Sequence, residues 1–158
     1  HGLPQSYLTK TDKSRRCLAS PDCCANRPLA DNCYRSHCLA TAHAIAGELY
    51  LTPDQYTICF QSRLGKKDWL KPYATETIKN LANNGTKSLL VFSPSFVCDC
   101  LETLYEIGVE YRDVFIEHGG DRLDLVKAVN DHPNFVDGLE GLVRSKMSEM
   151  SENTSKKL

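Results

Sequence analysis

The stretch Lys87-Ser88-Leu89-Leu90-Val91-Phe92, with Ser93-Pro94-Ser95-Phe96-Val97 and Cys98-Asp99-Cys100-Leu101-Glu102-Thr103-Leu104-Tyr105-Glu106-Ile107-Gly108-Val109-Glu110 after it, decides the fold. Its first six residues are nearly continuously apolar, as in a strand of a parallel sheet covered on both faces. A short proline-bearing loop follows. The remainder reads as a helix running to about Glu117 and ended by Gly119-Gly120, with Leu101, Leu104 and Ile107 as its packing stripe. Asp99 stands where it would cap that helix. Glu102, Glu106 and Glu110 recur at i, i+4 and i+8, in a row along another part of the same surface. Like charges so spaced repel one another. A row of three suits a cation, a proton, or a plainly solvated face.

Outward from this stretch the elements alternate. Residues 74–84 form a helix with Ile78 and Leu81 inward and Gly85 as its stop. Residues 56–61, YTICFQ, read as a buried strand and residues 36–50 as a helix with Ser36 as N-cap. Its apolar face is Leu39, Ala42, Ile45, Ala46 and Leu49. Downstream, Leu123 to Val129 form a weaker strand. Residues 133–150 form an amphipathic helix on Phe135, Val136, Leu139, Leu142, Val143 and Met147. Residues 1–16 read as a loop, and 151–158 as a flexible tail. Alternation with helical crossovers implies an α/β fold with a doubly wound parallel sheet. The visible strands and one that alternation places before His1 give about four, flanked by helices. Residues 1–150 make one domain. Ligands of such sheets sit beyond the carboxyl ends of strands, where the loops QSRLGKKDW and SPSFVCD lie.

The chain has 158 residues and a formal net charge of −1. That balance argues against a nucleic-acid partner. No apolar run approaches the roughly 20 residues of a membrane span, and no targeting segment is visible, so the expected location is cytoplasmic. Of the eight cysteines, Cys17, Cys23, Cys24, Cys33 and Cys38 fall within 22 residues. Pro21 and Pro28 break any regular element there, leaving a cysteine-rich loop at about 15–36. Clustering in an otherwise ordinary α/β sequence favours metal over disulfides. Two CxxC knuckles, the signature of a zinc ribbon, are absent from the spacing. Zinc, free thiols and disulfides stay open beside an iron–sulfur cluster.

Several of these segments resemble the C-terminal half of ferrochelatase, the enzyme that inserts ferrous iron into protoporphyrin IX. His1-Gly2-Leu3-Pro4-Gln5-Ser6-Tyr7 is similar to the loop carrying the family's catalytic histidine. FQSRLGKKDWLKPYATETI at 60–78 resembles its strand, loop and helix, and SPSFVCDCLETLYEI at 93–107 the segment with its catalytic glutamate. LDLVKAVNDHPNFVDGL at 123–139 resembles the closing strand and helix. The resemblance covers His1 to about Arg144, apart from the cysteine loop. It implies one Rossmann-like half of a two-half chelatase fold, with the porphyrin in the cleft between halves and the N-terminal half supplying much of its cradle. His1 would be the base that removes pyrrole protons and Glu102 its carboxylate partner, the two also meeting the Fe²⁺ substrate. Glu106 and Glu110 would extend a proton or metal path. Trp69 would wall the porphyrin, and Gln61, Ser62 and Arg63 would line the same cleft.

Cys100 takes a position where many members carry histidine, which moves acid–base work onto His1 and Glu102. Some members carry a two-iron, two-sulfur cluster. The insertion resembles an internal version ligated by Cys17, Cys24, Cys33 and Cys38, with Cys23 as the alternative to Cys24. The resemblance also allows peripheral membrane contact. A non-catalytic iron–sulfur or zinc half-domain, or a chelatase for another tetrapyrrole, is the rival reading, and the isolated chain is expected to be inactive.

Overall fold

A computed structural model describes residues 1–20, 22–24 and 33–155 of the chain. Two strands, β1 (Ser88–Val91) and β2 (Arg122–Leu125), pair in parallel with Leu89 opposite Leu123 and Val91 opposite Leu125. Between them runs one continuous helical segment: α4 (Leu101–Tyr105), a π-helical stretch (Glu106–Tyr111) and α5 (Arg112–Glu117). This is the βαβ unit expected from the alternation. Before it come α1 (Gln5–Thr11), α2 (Tyr34–Glu48) and α3 (Ala74–Asn83), and after it α6 (Pro133–Ser155).

The sheet is smaller than the four strands expected: among the described residues two strands pair. Residues 56–61 contribute only an isolated parallel bridge between Phe60 and Tyr73. An extended segment becomes a strand only when a neighbour completes its ladder, and here a single bridge does so. The third strand stops at Leu125 rather than Val129. Other boundaries also move. Residues 5–11 are helical, not loop, because Pro4 occupies the N-cap, where its missing N–H costs nothing, and Leu8 gives the short helix a buried anchor. Helix α2 starts two residues early, and Ser36 is buried inside it instead of capping it. Ala82 rather than Leu81 joins Ile78 in the core. Residues 151–155 continue α6, and the remainder of the expected tail lies outside the described residues. So does part of the cysteine loop, Pro21 and 25–32.

The main core joins Ala74, Ile78 and Ala82 of α3 to Ile107, Tyr111 and Phe115 of the central helical segment and Leu123 of β2. A second cluster holds Leu8, Phe60 and Leu70. Of the expected stripe on the central helix only Ile107 is buried; Leu101 is 78% exposed. Phe115 is fully buried, and a Cβ at Gly120 would lie 2.2–2.6 Å from its ring carbons. Gly120→Ala is therefore expected to cost about 2–3 kcal/mol through overpacking. The urea midpoint should fall with little change in slope; an unmoved midpoint would mean that the Phe115 ring has room to turn.

Candidate functional site

The loop 1–4 is laced to the loop before α3. Gly2 donates its N–H to the Gln61 carbonyl at 2.7 Å, Leu70 donates to Leu3 at 2.9 Å, and Pro4 bridges Trp69. The approach favours glycine at position 2, since a Cβ there would meet the Ser62 carbonyl at 3.1 Å and Trp69 Cε3 at 3.3 Å. The His1 imidazole consequently lies 6.0 Å, centroid to centroid, from both the Trp69 and the Phe96 rings. Its Nδ1 bonds the Gly2 carbonyl. A carbonyl only accepts, so Nδ1 carries the hydrogen, and in the neutral ring Nε2 keeps its lone pair. Tyr34 at the start of α2 donates its hydroxyl to the His1 carbonyl at 2.8 Å.

Beneath this loop sits the Glu106 carboxylate, which accepts four hydrogen bonds. Oε1 takes the Ser62 N–H at 2.9 Å and the Tyr111 hydroxyl at 2.8 Å. Oε2 takes Gln61 Nε2 at 3.0 Å and Ser62 Oγ at 2.6 Å. Two donors per oxygen fill the roughly four lone-pair sites of a carboxylate. Ser62 can offer both donors because its backbone is left-handed, φ +61, an uncommon state for a non-glycine residue. Gln61 is buried, and its Oε1 accepts from Ser93 Oγ at 2.8 Å. Burial, and then the bond to Glu106, pushes the Tyr111 phenol above its ordinary pKa, which keeps it a donor at neutral pH.

The three glutamates of the acidic row meet different surroundings. Glu106, where the π-helical stretch begins, is half-buried, while Glu102 and Glu110 are exposed. Gln61, Ser62, Trp69 and the His1 loop gather around one side. Arg63 instead turns outward and lies 4.8 Å from the Tyr73 ring centroid. The Trp69 indole N–H is used locally, donating to the Leu64 carbonyl at 3.0 Å. Asp99 does not cap the helix; Cys100 holds the N-cap, without a side-chain capping bond. The Asp99 carboxylate instead accepts from Asn130 Nδ2 and then Ala128 N–H, which hold its pKa below the usual value. Cys100 contacts Thr103 Oγ1 at 3.2 Å.

Sequence reasoning missed Tyr111, Ser93, Phe96 and Tyr34. Tyr111 follows Glu106 by five residues, a spacing that an α-helix places on diverging faces. The π register brings them together.

Among the described residues none of the eight cysteines is paired in a disulfide. Cys17, Cys33 and Cys38 pack with Tyr34 against the Leu8–Phe60–Leu70 cluster. Asp12 delivers Cys17 by accepting from Ser14 N–H and Oγ, Arg16 N–H and Cys17 N–H. The Ser14 hydroxyl and the Cys17 amide hold the Asp12 carboxyl well below the usual carboxylate range. Cys17 lies within electrostatic reach of Cys33 and Cys23, and burial followed by those neighbours pushes its thiol up to about 11. The Cys23 and Cys24 sulfurs are 3.9 Å apart, and Arg35 Nη1 reaches Cys24 at 3.1 Å and Cys23 at 3.8 Å. The donor set suits a thiolate-ligated group, although no group of three or more ligating side chains already stands in metal-holding geometry among the described residues.

A family profile described as ferrochelatase matches residues 1–147. The chain is similar to a ferrochelatase of Bdellovibrio bacteriovorus, 48% identical over 146 residues, covering 92% of this chain and 43% of that protein. It is also similar to ferrochelatases of Ectopseudomonas mendocina, 46% identical over 144 residues (90% of this chain, 42% of the relative), and Azotobacter vinelandii, 45% identical over 148 residues (92% and 44%). The chain thus spans less than half the length of these curated relatives.

Proposed function

The chain belongs to the ferrochelatase family, and from that premise we propose that, within a complete protein, it helps insert Fe²⁺ into protoporphyrin IX, giving haem and two protons. The observation that carries this reading is the His1 imidazole set between the Trp69 and Phe96 rings, with Nε2 left free to accept a proton. Aromatic faces suit a flat macrocycle, and an imidazole titrates near neutrality. His1 Nε2 removes the pyrrole protons, and exposed Glu102 takes them on to solvent or neutralises incoming iron. Glu110, also exposed, extends that path. Glu106 joins it only by giving up donors, because its oxygens are occupied. Gln61 and Ser62 position the floor of the cleft, and Arg63 lies at its outer rim. Among the described residues no helix is long and apolar enough to cross a membrane. We place the enzyme in the cytoplasm, with peripheral membrane contact compatible with this reading.

The cysteine loop is proposed to hold a two-iron, two-sulfur cluster. The packing of Cys17, Cys33 and Cys38 together supports these three as ligands; for the fourth, the nearness of Cys23 to Cys17 leads us to place Cys23 ahead of Cys24, reversing the order expected from the sequence. Arg35 then supplies N–H···S bonds of the kind that tune such clusters. When bound, the cluster would cross-link the loop, a constraint on folding equivalent to other structural metal sites.

Catalysis requires the remainder of the protein. Leu90 on the open face of β1 is 72% exposed, and Val136, Leu139, Leu142, Val143, Met147 and Met150 leave an apolar stripe on α6 uncovered among the described residues. Such surfaces fit another packed layer. Residues 1–158 alone are expected to insert iron at least a hundredfold more slowly than the complete enzyme (about the size of effect that losing substrate positioning produces). Anaerobic assay with Fe²⁺ and protoporphyrin compares the two. Full turnover by 1–158 would overturn the requirement.

A further inference from the structure

We propose that Tyr34 is a positioning residue that couples the cysteine site to His1. The inference rests on the cluster reading above and adds a purpose to it. Four observations carry it. Tyr34 is the first residue of α2, and Cys33 is that helix's N-cap. Cys38 follows one turn later, at i+4, on the same face as Tyr34. The Tyr34 hydroxyl donates to the His1 carbonyl at 2.8 Å. Its ring packs with Cys17, Cys33 and Cys38 against Leu8, Phe60 and Leu70. Two proposed ligands therefore bracket the residue that holds the histidine loop from behind.

Helix α2 depends on this first turn. No side-chain capping bond holds its N-terminus, and only Ser36 and Ala46 along its length are buried. Bonds from metal to Cys33 and Cys38 would fix the turn at both ends. The Tyr34 hydroxyl would then be held at one place against the His1 carbonyl, and with it the imidazole between Trp69 and Phe96. Loss of the cluster frees the turn, and His1 loses its backing while Trp69, Gln61 and Glu106 stay where the other loops put them. The coupling is mechanical, through one hydroxyl, and involves no electron transfer.

The test uses the complete protein, purified anaerobically, as wild type and Tyr34→Phe, with and without its metal removed by chelation. Iron and sulfide content and visible absorption are read first. If the wild type holds no cluster, the cofactor reading itself falls. If both hold it, the His1 imidazole is followed by nitrogen-15 NMR through a pH titration, its signal assigned by His1→Asn. Cluster removal is expected to shift and broaden the His1 signal in the wild type, and to lower kcat about tenfold with little change in KM for iron. In Tyr34→Phe the signal should already be broadened, kcat should already be lower, and cluster removal should change neither further. Tyr34→Leu, which packs against the same cluster and carries no donor, should behave like Tyr34→Phe if the hydroxyl is the link. An equal response to cluster removal in wild type and both variants would overturn the proposal.

Discussion

In the complete enzyme, Glu102→Gln is expected to lower iron insertion by about a hundred- to ten-thousandfold and to leave folding stability within about 0.5 kcal/mol of wild type. Glu106→Gln is expected to do the opposite in kind: it should cost roughly 3 kcal/mol of stability, and its effect on turnover should follow from misplacement of the site. The two residues are one helical turn apart and chemically identical. What separates them is their surroundings. Glu102 is exposed, so amide replacement strands no buried donor while removing the charge that a departing proton or arriving cation would meet. Glu106 accepts from Gln61, Ser62 twice and Tyr111. An amide in its place turns one acceptor oxygen into an NH₂ that faces two donors, and hydrogen bonds to charged acceptors are worth about 1.5–3 kcal/mol each.

The measurements are urea unfolding and anaerobic steady-state kinetics on both variants. If Glu106→Gln unfolds like wild type and abolishes insertion, while Glu102→Gln inserts iron normally, the assignment is reversed. A carboxylate with all lone pairs engaged is poorly suited to carry protons in transit, since every protonation breaks a bond already made. The exposed glutamates have no such penalty. The row of three identical residues thus divides into two that can exchange with solvent and one that holds Gln61 and Ser62 in place.

That division was not legible in the sequence. Spacing places the three glutamates on one face but does not say which of them meets buried donors, and the bond from Tyr111 to Glu106 depends on the π-helical stretch between them. Nothing in residue periodicity signals the extra residue per turn. The parts that were legible depend on local chemistry: the apolar run of β1, the positive φ of Gly85 and Gly119 at helix ends, and the helical crossover to β2. The parts that were not depend on tertiary partners. Ser62 pairs a left-handed backbone with two bonds to Glu106, a residue 44 positions away, and residues 56–61 lack the strand ladder their composition suits. Apolar residues on both faces of β1 had pointed to a layer on each side. Leu89 and Val91 do pack against the main core, whereas Leu90 is uncovered. His1 and Trp69 are tied together by the resemblance and not by spacing, because they lie 68 positions apart in sequence.

Replacing Cys33 by serine is expected to remove the visible absorption of the anaerobically purified protein and most of its iron and sulfide, whereas Cys24→Ser should retain both. The contrast follows from the site. Cys33 contacts Cys17 and packs into the second core, while Cys24 lies against Arg35. The metal-free protein should also carry a pH signature. Its Cys17 thiol is raised to about 11 from an ordinary 9, so between those values the folded form keeps a proton that the unfolded form has lost. Stability is therefore full below about pH 9 and declines as pH rises toward about 11. Cluster binding reverses the requirement, because thiols must lose their protons to become ligands. Cluster retention should accordingly fall as pH is lowered, the reverse of the metal-free protein's loss of stability at high pH. Iron analysis across pH, paired with unfolding of the metal-free form, checks both slopes. A colourless wild type with one zinc per chain would replace the cluster with a zinc site; an iron protein whose colour depends on Cys24 and not on Cys23 would restore Cys24 as the ligand. Opposite pH slopes matter because the thiols that favour the closed, metal-free loop in their protonated state are the same ones that must give up those protons to hold iron.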